Sequence, residues 1–198
     1  MPAPRLDPET LLSAYAQGVF PMGDRDGHVR WYTADPRGVL PLDEGFHVPR
    51  TLAQRCRNPV GFEVRFNFDF ETTMRACRDE RFAEGTWINH KLITAYTRLH
   101  ELGFAHSVET WWDGQLAGGL YGVSLGGAFF GESMFHRRTD ASKIALVALV
   151  QRLRERGFVL LDAQASTSHL KRFGCIELPA AEYLRRLNLA LQLKCQFA

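Results

Sequence analysis

A chain of 198 residues can bury a substantial core, as one domain or two small ones. With 45% apolar and 23% charged residues it has the composition of an ordinary globular protein, and a net charge of +2 sets up no global field that demands a nucleic-acid partner. No apolar run reaches the ~20 residues that span a bilayer, and residues 1–5 lack the apolar core of a secretory signal, so the chain is expected in the cytosol.

The pattern then reads in order. Asp7 caps a helix whose first residue is Pro8, and Gly18 ends it. Residues 27–42, rich in glycine and proline, predict an irregular connection with one or two short strands. A short helix follows over 49–57, and strict alternation over 62–66 predicts a half-buried strand. Asp69 caps a helix to Arg78. Residues 89–102 form an amphipathic helix with Leu92, Ile93, Tyr96 and Leu99 on one stripe, ended by Gly103. Strands over 106–112 and 115–123 flank Asp113-Gly114, a hairpin signal, and a second turn at Gly126-Gly127 makes a three-strand meander. The remaining prediction is a strand over 128–135, a helix over 141–156 capped by Asp140 and stopped by Gly157, and a strand over 158–164. After these come a short helix at 168–173, a strand at 175–178 and a helix at 180–191. This order predicts an α+β fold with a mixed sheet: a small amino-terminal α/β domain over 1–80 and a catalytic domain over 81–198.

The segment 128–164 organises the rest. Two strands joined through a helix are expected as parallel neighbours with a right-handed crossover, and ligands sit beyond the carboxyl ends of such strands. That places Glu132, Asp162 and Gln164 around one crevice. A carboxylate among Phe129, Phe130, Met134 and Phe135 loses hydration if buried, and a basic ligand group is one compensator. The alternatives are an exposed edge carboxylate or one paired with an arginine such as Arg137. Strand periodicity puts Phe158, Leu160, Asp162 and Gln164 on one face, although Asp162 also suits a cap for the next helix. Six glycines fall between Gly118 and Gly131. A bulge at Gly131 is expected to bring Phe129 and Glu132 toward one pocket.

Basic residues, including Arg137, Arg138, Lys143, Arg152, Arg154, Arg156, Lys171, Arg172, Arg185 and Arg186, read as a solvated face or, more sharply, a phosphate track. The four cysteines, Cys56, Cys77, Cys175 and Cys195, contain no close pair, and no histidine lies in H-E-x-x-H, so neither a metal site nor a disulfide is expected.

Several motifs occur together in a fixed order. They are Gly85-Thr86-Trp87-Ile88, the 100–107 segment from His100 to Ser107, and Gly131-Glu132-Ser133-Met134-Phe135. Ala141-Ser142-Lys143, Asp162-Ala163-Gln164, His169-Leu170 and Phe173-Gly174 follow. With Tyr15, Gly18-Val19-Phe20-Pro21 and Trp31 with Asp35-Pro36-Arg37, they make the chain from Asp7 to Leu187 resemble the leucyl/phenylalanyl-tRNA–protein transferase family.

The resemblance implies a carboxyl-terminal domain of acetyltransferase-like (GNAT-type) fold. It implies transfer of leucine or phenylalanine, less readily methionine, from aminoacyl-tRNA to proteins beginning with arginine or lysine, which creates a degradation signal of the bacterial N-degron pathway. No cofactor or metal is implied, and a monomer is expected. Asp162 and Gln164 match the family's catalytic pair, and Glu132 its pocket carboxylate. Leu120, Phe129, Gly131, Met134, Leu146, Leu149 and Leu161 fall at or beside the pocket for the transferred side chain. Trp87 and Tyr96, with Tyr15 and Trp31, match residues near the tRNA 3′ end. The chain departs from the family in a shortened amino-terminal domain, in Met22 where a tryptophan is common, and in Ala34 where a proline stands.

An ester is converted to an amide by an amine without added fuel, so alignment is most of the task. In this scheme Gln164 aims the amine, Asp162 polarises Gln164 and disperses the proton, and the acidic pair Glu132 and Asp162 favours a cationic acceptor. The rivals are a coenzyme-A acyltransferase, a cell-wall aminoacyl transferase and a non-catalytic tRNA or peptide binder. The segment 137–142 lacks the glycines of a pyrophosphate loop, which speaks against the first.

Overall fold

The computed structural model describes residues 6–24, 26–80 and 85–198. Helix α1 (Pro8–Ala16) starts where the Asp7 carboxylate accepts the Thr10 N–H at 2.8 Å. It ends at Gly18, whose φ of +74° few other residues adopt. Strands β1 (Phe20–Gly23) and β2 (Val29–Tyr32) form a separate two-stranded ribbon. Sequence reading misses β1, because Pro21 argues against a strand and only an isolated ribbon edge tolerates it.

The remaining strands build one seven-stranded sheet in the order β4-β5-β6-β7-β8-β3-β9. They are β3 (Arg37–Leu40), β4 (Phe62–Phe66), β5 (Ala105–Trp112), β6 (Gln115–Leu125), β7 (Ala128–His136), β8 (Leu160–Gln164) and β9 (Ile176–Leu178). All neighbours are antiparallel except β7 and β8, which run parallel as the crossover requires. The α+β fold with a mixed sheet is therefore the one observed. The division expected near residue 80 does not divide this sheet, since β3 and β4 precede it in sequence and lie within it. Residues 81–84, which the expected boundary also touches, lie outside the described residues.

Helices cover both faces. On one, α1, α3 (Phe70–Asp79), α4 (His90–Glu101) and α7 (Ala180–Leu191) contribute Tyr15, Met74, Tyr96, Leu187 and others to one apolar cluster. On the other, α2 (Arg50–Arg57) and the long α5 (Ala141–Glu155) pack Leu52, Leu146, Leu149 and Leu153 against Phe129 and Leu161. Each such fully buried apolar side chain contributes roughly 1.5–3 kcal/mol. The short α6 (Ser168–Lys171) joins β8 to β9.

Two local expectations are corrected. Asp140 does not cap α5 through its side chain. Its backbone is left-handed at φ +70°, and its carboxylate goes to Lys143 Nζ at 2.8 Å and Arg55 Nη1 at 2.6 Å. The strand after α5 starts at Leu160, because the Phe158 N–H is still held by the Leu153 carbonyl at the helix end and Val159 is exposed. Phe158 thus joins the α5-side cluster, while Leu160 faces the other way.

Candidate active site

Pairing of β7 with β8 runs from Ala128↔Leu160 to Phe130↔Asp162 and then stops. Immediately beyond, Tyr121 and Gly122 of β6 face Ser133 and Gly131 of β7, so Glu132 is the extra residue of a bulge. Gly122 is required there, because a Cβ would lie 2.3 Å from the Phe130 carbonyl oxygen and 2.4 Å from the Phe129 ring. Strand β8 ends as sharply, with Gln164 left-handed at φ +61°. The two parallel strands therefore splay at their carboxyl ends, and the cleft opens between them.

Glu132 sits at its base, 9% exposed. Its Oε1 accepts from the Tyr15 hydroxyl at 2.7 Å and from Gln164 Nε2 at 2.9 Å, and its Oε2 accepts from the Tyr96 hydroxyl at 3.3 Å. The two tyrosine hydroxyls also lie in hydrogen-bond contact with each other, so their two protons serve three contacts, two of them to the carboxylate. Burial pushes the carboxyl up to about 7. The tyrosine bonds and the Arg37 guanidinium pull it down, and the Asp162 charge pushes with burial. Both tyrosines are held well above the usual phenol range, by burial first and then by the neighbouring carboxylate. No arginine side chain hydrogen-bonds Glu132 among the described residues; Arg137 pairs with Glu80 instead.

Asp162 is fully buried and fully engaged. Arg37 grips it with Nε to Oδ1 at 2.9 Å and Nη2 to Oδ2 at 2.6 Å, the two-pronged geometry that guanidinium favours. The Tyr183 hydroxyl donates to Oδ2 at 2.7 Å, and the Gln164 backbone N–H donates to Oδ1 at 2.8 Å. Arg37, itself 1% exposed, also donates to the Gly18 carbonyl and lies between the Phe20 and Tyr183 rings at 4.8 and 4.7 Å. Asp162 therefore touches the backbone of Gln164, whereas the Gln164 side chain reaches Glu132. The negative charge of Asp162 is matched by Arg37, which leaves Glu132 as the carboxylate facing the cleft base.

Beside Glu132 a cavity of about 610 Å³ extends toward α5. Leu40, Leu120, Met134, Leu146, Leu149 and Leu161 give it an apolar wall, while Lys143, His169 and Arg172 stand among its polar lining. Gly131, Trp87, Asp162 and Gln164 border it too. The other expected site residues do not line it. Phe129 is fully buried in the same α5-side cluster as Leu120, Leu146, Leu149 and Leu161, against Phe197 at 5.4 Å, so it backs the cavity wall, while the bulge displaces Glu132 and leaves Phe129 in its ordinary register. Tyr15 and Tyr96 are wholly buried behind Glu132, so the structure gives them the carboxylate as partner. Trp31 lies on β2, partly buried at the edge of the first cluster.

Of the basic residues, Arg152 stacks over Phe66, Arg154 donates to the Leu42 and Asp43 carbonyls, and Arg185 and Arg186 pair with Glu182. Arg55, Arg137 and Arg138 line a second, more open groove with Trp112. Asp24, Asp26 and His28 bring ligand-type atoms together on the β1–β2 turn, where they are largely exposed. All four cysteines are free.

Sequence reasoning missed Arg37 and Tyr183 as site residues. Tyr183 had a signal: it shares a helix stripe with Leu187 and Ala190, and a buried tyrosine hydroxyl needs a partner. Arg37 stood in the Asp35-Pro36-Arg37 motif, but no local pattern pointed to its partner, which lies 125 residues away.

A family model described as leucyl/phenylalanyl-tRNA protein transferase matches residues 39–188, and one for that family's N-terminal domain matches residues 5–35. A protein of Rubrobacter xylanophilus named leucyl/phenylalanyl-tRNA–protein transferase is 55% identical over 195 residues, covering 98% of this chain and 100% of its own. One of Herpetosiphon aurantiacus with the same name is 53% identical, covering 98% of each. Among solved structures, the L-PGS of Bacillus licheniformis overlaps with a TM-score of 0.46 and 14% identity over 82% of this chain and 52% of that one, too distant to carry an argument. On sequence alone, the chain belongs to the leucyl/phenylalanyl-tRNA protein transferase family.

Proposed function

We propose that the cleft between β7 and β8 moves leucine or phenylalanine, less readily methionine, from aminoacyl-tRNA to the α-amino group of proteins beginning with arginine or lysine. The observation that carries this reading is a leucine-lined cavity directly beside a buried carboxylate. An apolar side chain of the donor fits the cavity, and the acceptor's amine meets Glu132 and Gln164 at its edge. Such a wall separates related apolar side chains only weakly, since one methylene is worth ~1–3 kcal/mol, so some breadth among donors follows. Glu132 favours a cationic acceptor without help from Asp162, whose charge Arg37 already answers. Trp87, at the cavity border, is positioned to stack on the terminal nucleoside of the donor. Tyr15, Tyr96 and Trp31 support the site from behind or beside it.

The product would mark its bearer for degradation. Charged tRNA and its protein acceptors meet in the cytosol, and among the described residues no helix is long and apolar enough to cross a membrane. In this reading the protein works as a monomer. The test is transfer of labelled leucine from charged tRNA to a protein beginning with arginine, beside matched acceptors beginning with alanine or glutamate and a parallel trial with acetyl-coenzyme A. Label on the arginine acceptor alone supports the reading. Label from acetyl-coenzyme A, or binding without transfer, overturns it.

A further inference from the structure

Both carboxylates at the cleft are conspicuous, but their surroundings fit them for opposite tasks. Asp162 has no exposed surface, and four donors occupy its two oxygens. It has neither room nor a free lone pair directed at a substrate. Glu132 borders the cavity, and among the described residues its Oε2 holds only the long 3.3 Å bond from Tyr96. Gln164 completes the contrast. Its Nε2 is spent on Glu132, which turns the amide oxygen of the same group away from that carboxylate.

Building on the aminoacyl-transfer reading, we infer that Glu132 is the proton acceptor of the reaction, and that Arg37, Asp162 and Tyr183 form a buried positioning unit that fixes Gln164. In this scheme the Gln164 amide oxygen accepts a hydrogen bond from the acceptor's α-amine and aims its lone pair at the ester carbonyl carbon. The new C–N bond forms as the amine's surplus proton passes to Glu132. The bond from carbonyl carbon to the ribose oxygen then breaks, and that oxygen takes the proton back from Glu132. One amide and one ribose hydroxyl result, and Glu132 returns to its starting state.

Asp162 acts one step removed. By accepting the Gln164 N–H it holds that residue in its left-handed backbone conformation, and Arg37 and Tyr183 hold Asp162. The charged and titratable groups around Glu132 are Tyr15 from α1, Tyr96 from α4, Asp162 from β8 and Arg37 from β3. Lys143, Asp140, His136, His169 and Arg172 stand across the cavity. The surroundings keep the carboxyl titrating close to the α-amine of a peptide, whose ordinary value is ~7.7–8, so proton exchange between the two is nearly balanced.

The experiment is the pH profile of kcat/KM for leucine transfer, measured for wild type, Glu132→Gln, Asp162→Asn and Tyr183→Phe. Two groups must lose a proton in wild type, the amine and Glu132, so the logarithm of the rate should climb with a slope of two at the acid end. Glu132→Gln should lower the rate on the order of 10²–10³-fold at pH 8 and reduce that slope to one. Asp162→Asn and Tyr183→Phe should be slower yet keep the slope of two. A slope of two in Glu132→Gln overturns the assignment, as does a slope of one in either of the other variants. Should Asp162→Asn fail to fold, Glu132→Gln and Tyr183→Phe decide alone. Failure of wild type to transfer leucine at all refutes the underlying activity instead, which keeps the two outcomes apart.

Discussion

Gln164 Nε2 lies 2.9 Å from Glu132 Oε1, and this bond joins the two parallel strands across the point where their ladder has ended. It is the contact that turns a gap in a sheet into a site with a direction. Replacing Gln164 by glutamate keeps the shape and sets a second negative group against Glu132. The carboxylates then resist ionising together, so transfer by Gln164→Glu should need a higher pH than wild type. An unchanged pH optimum would show that the two side chains do not meet.

Tyr15 donates to Glu132, and that bond lowers the pH at which the carboxyl ionises. Tyr15→Phe removes the donor and keeps the ring in the core. The acid limb of activity should move to higher pH while the protein stays folded. Coincident limbs for the two proteins would dismiss the contact as a tuning element.

Stability should carry the same signature. The folded-state carboxyl of Glu132 is raised from 4.5 to about 7. A group raised in this way contributes its full share of stability below pH 4.5, and the share is lost as pH climbs through about 7. The loss is on the order of 3 kcal/mol. Urea denaturation of wild type and Glu132→Gln at pH 4.5 and pH 8 should show wild type losing more than the variant. Parallel behaviour at the two pH values would contradict the raised value.

Asp162→Ala leaves the Arg37 guanidinium buried without its partner. Breaking a buried pair from one side costs about 3–5 kcal/mol, a large part of a typical domain's stability. A fall of several degrees in Tm is expected, larger than for Gln164→Ala, whose side chain sits at the cleft edge. Equal melting points for the two variants would argue that the Arg37 pair is not the anchor described above.

The apolar wall sets donor choice. Met134→Ala widens the cavity from a half-buried position, so phenylalanine should gain on leucine by about tenfold in relative kcat/KM, the equivalent of ~1.4 kcal/mol. Competition between the two charged tRNAs measures this directly. An unaltered ratio would place the transferred side chain somewhere else.

Much of the architecture was readable one residue at a time. Asp7, Asn89 and Asp113-Gly114 are local devices, and their helix starts and hairpin stand where the pattern put them. The parallel relation of β7 and β8 followed from the helix that joins them. The ribbon strand at Phe20 was not readable, because its only reason to be a strand is the partner across the turn. Phe129 shows the same limit. It stands two residues before the glycine expected to bulge, yet the fold puts the extra residue at Glu132 itself and leaves the ring buried among the residues of the cavity wall without lining the cavity.

By itself, then, the order of side chains determined the family, the sheet-and-helix sequence and the convergence of Glu132, Asp162 and Gln164, because caps, periodicity and crossover handedness act over short stretches of chain. Only the tertiary structure decided what those three groups do to one another. Arg37 comes from 125 residues before Asp162 and Tyr15 from 117 before Glu132, and both are drawn in by burial. A carboxylate's chemistry depends on its solvation and on the donors within about 3 Å, and those neighbours are brought together only by folding.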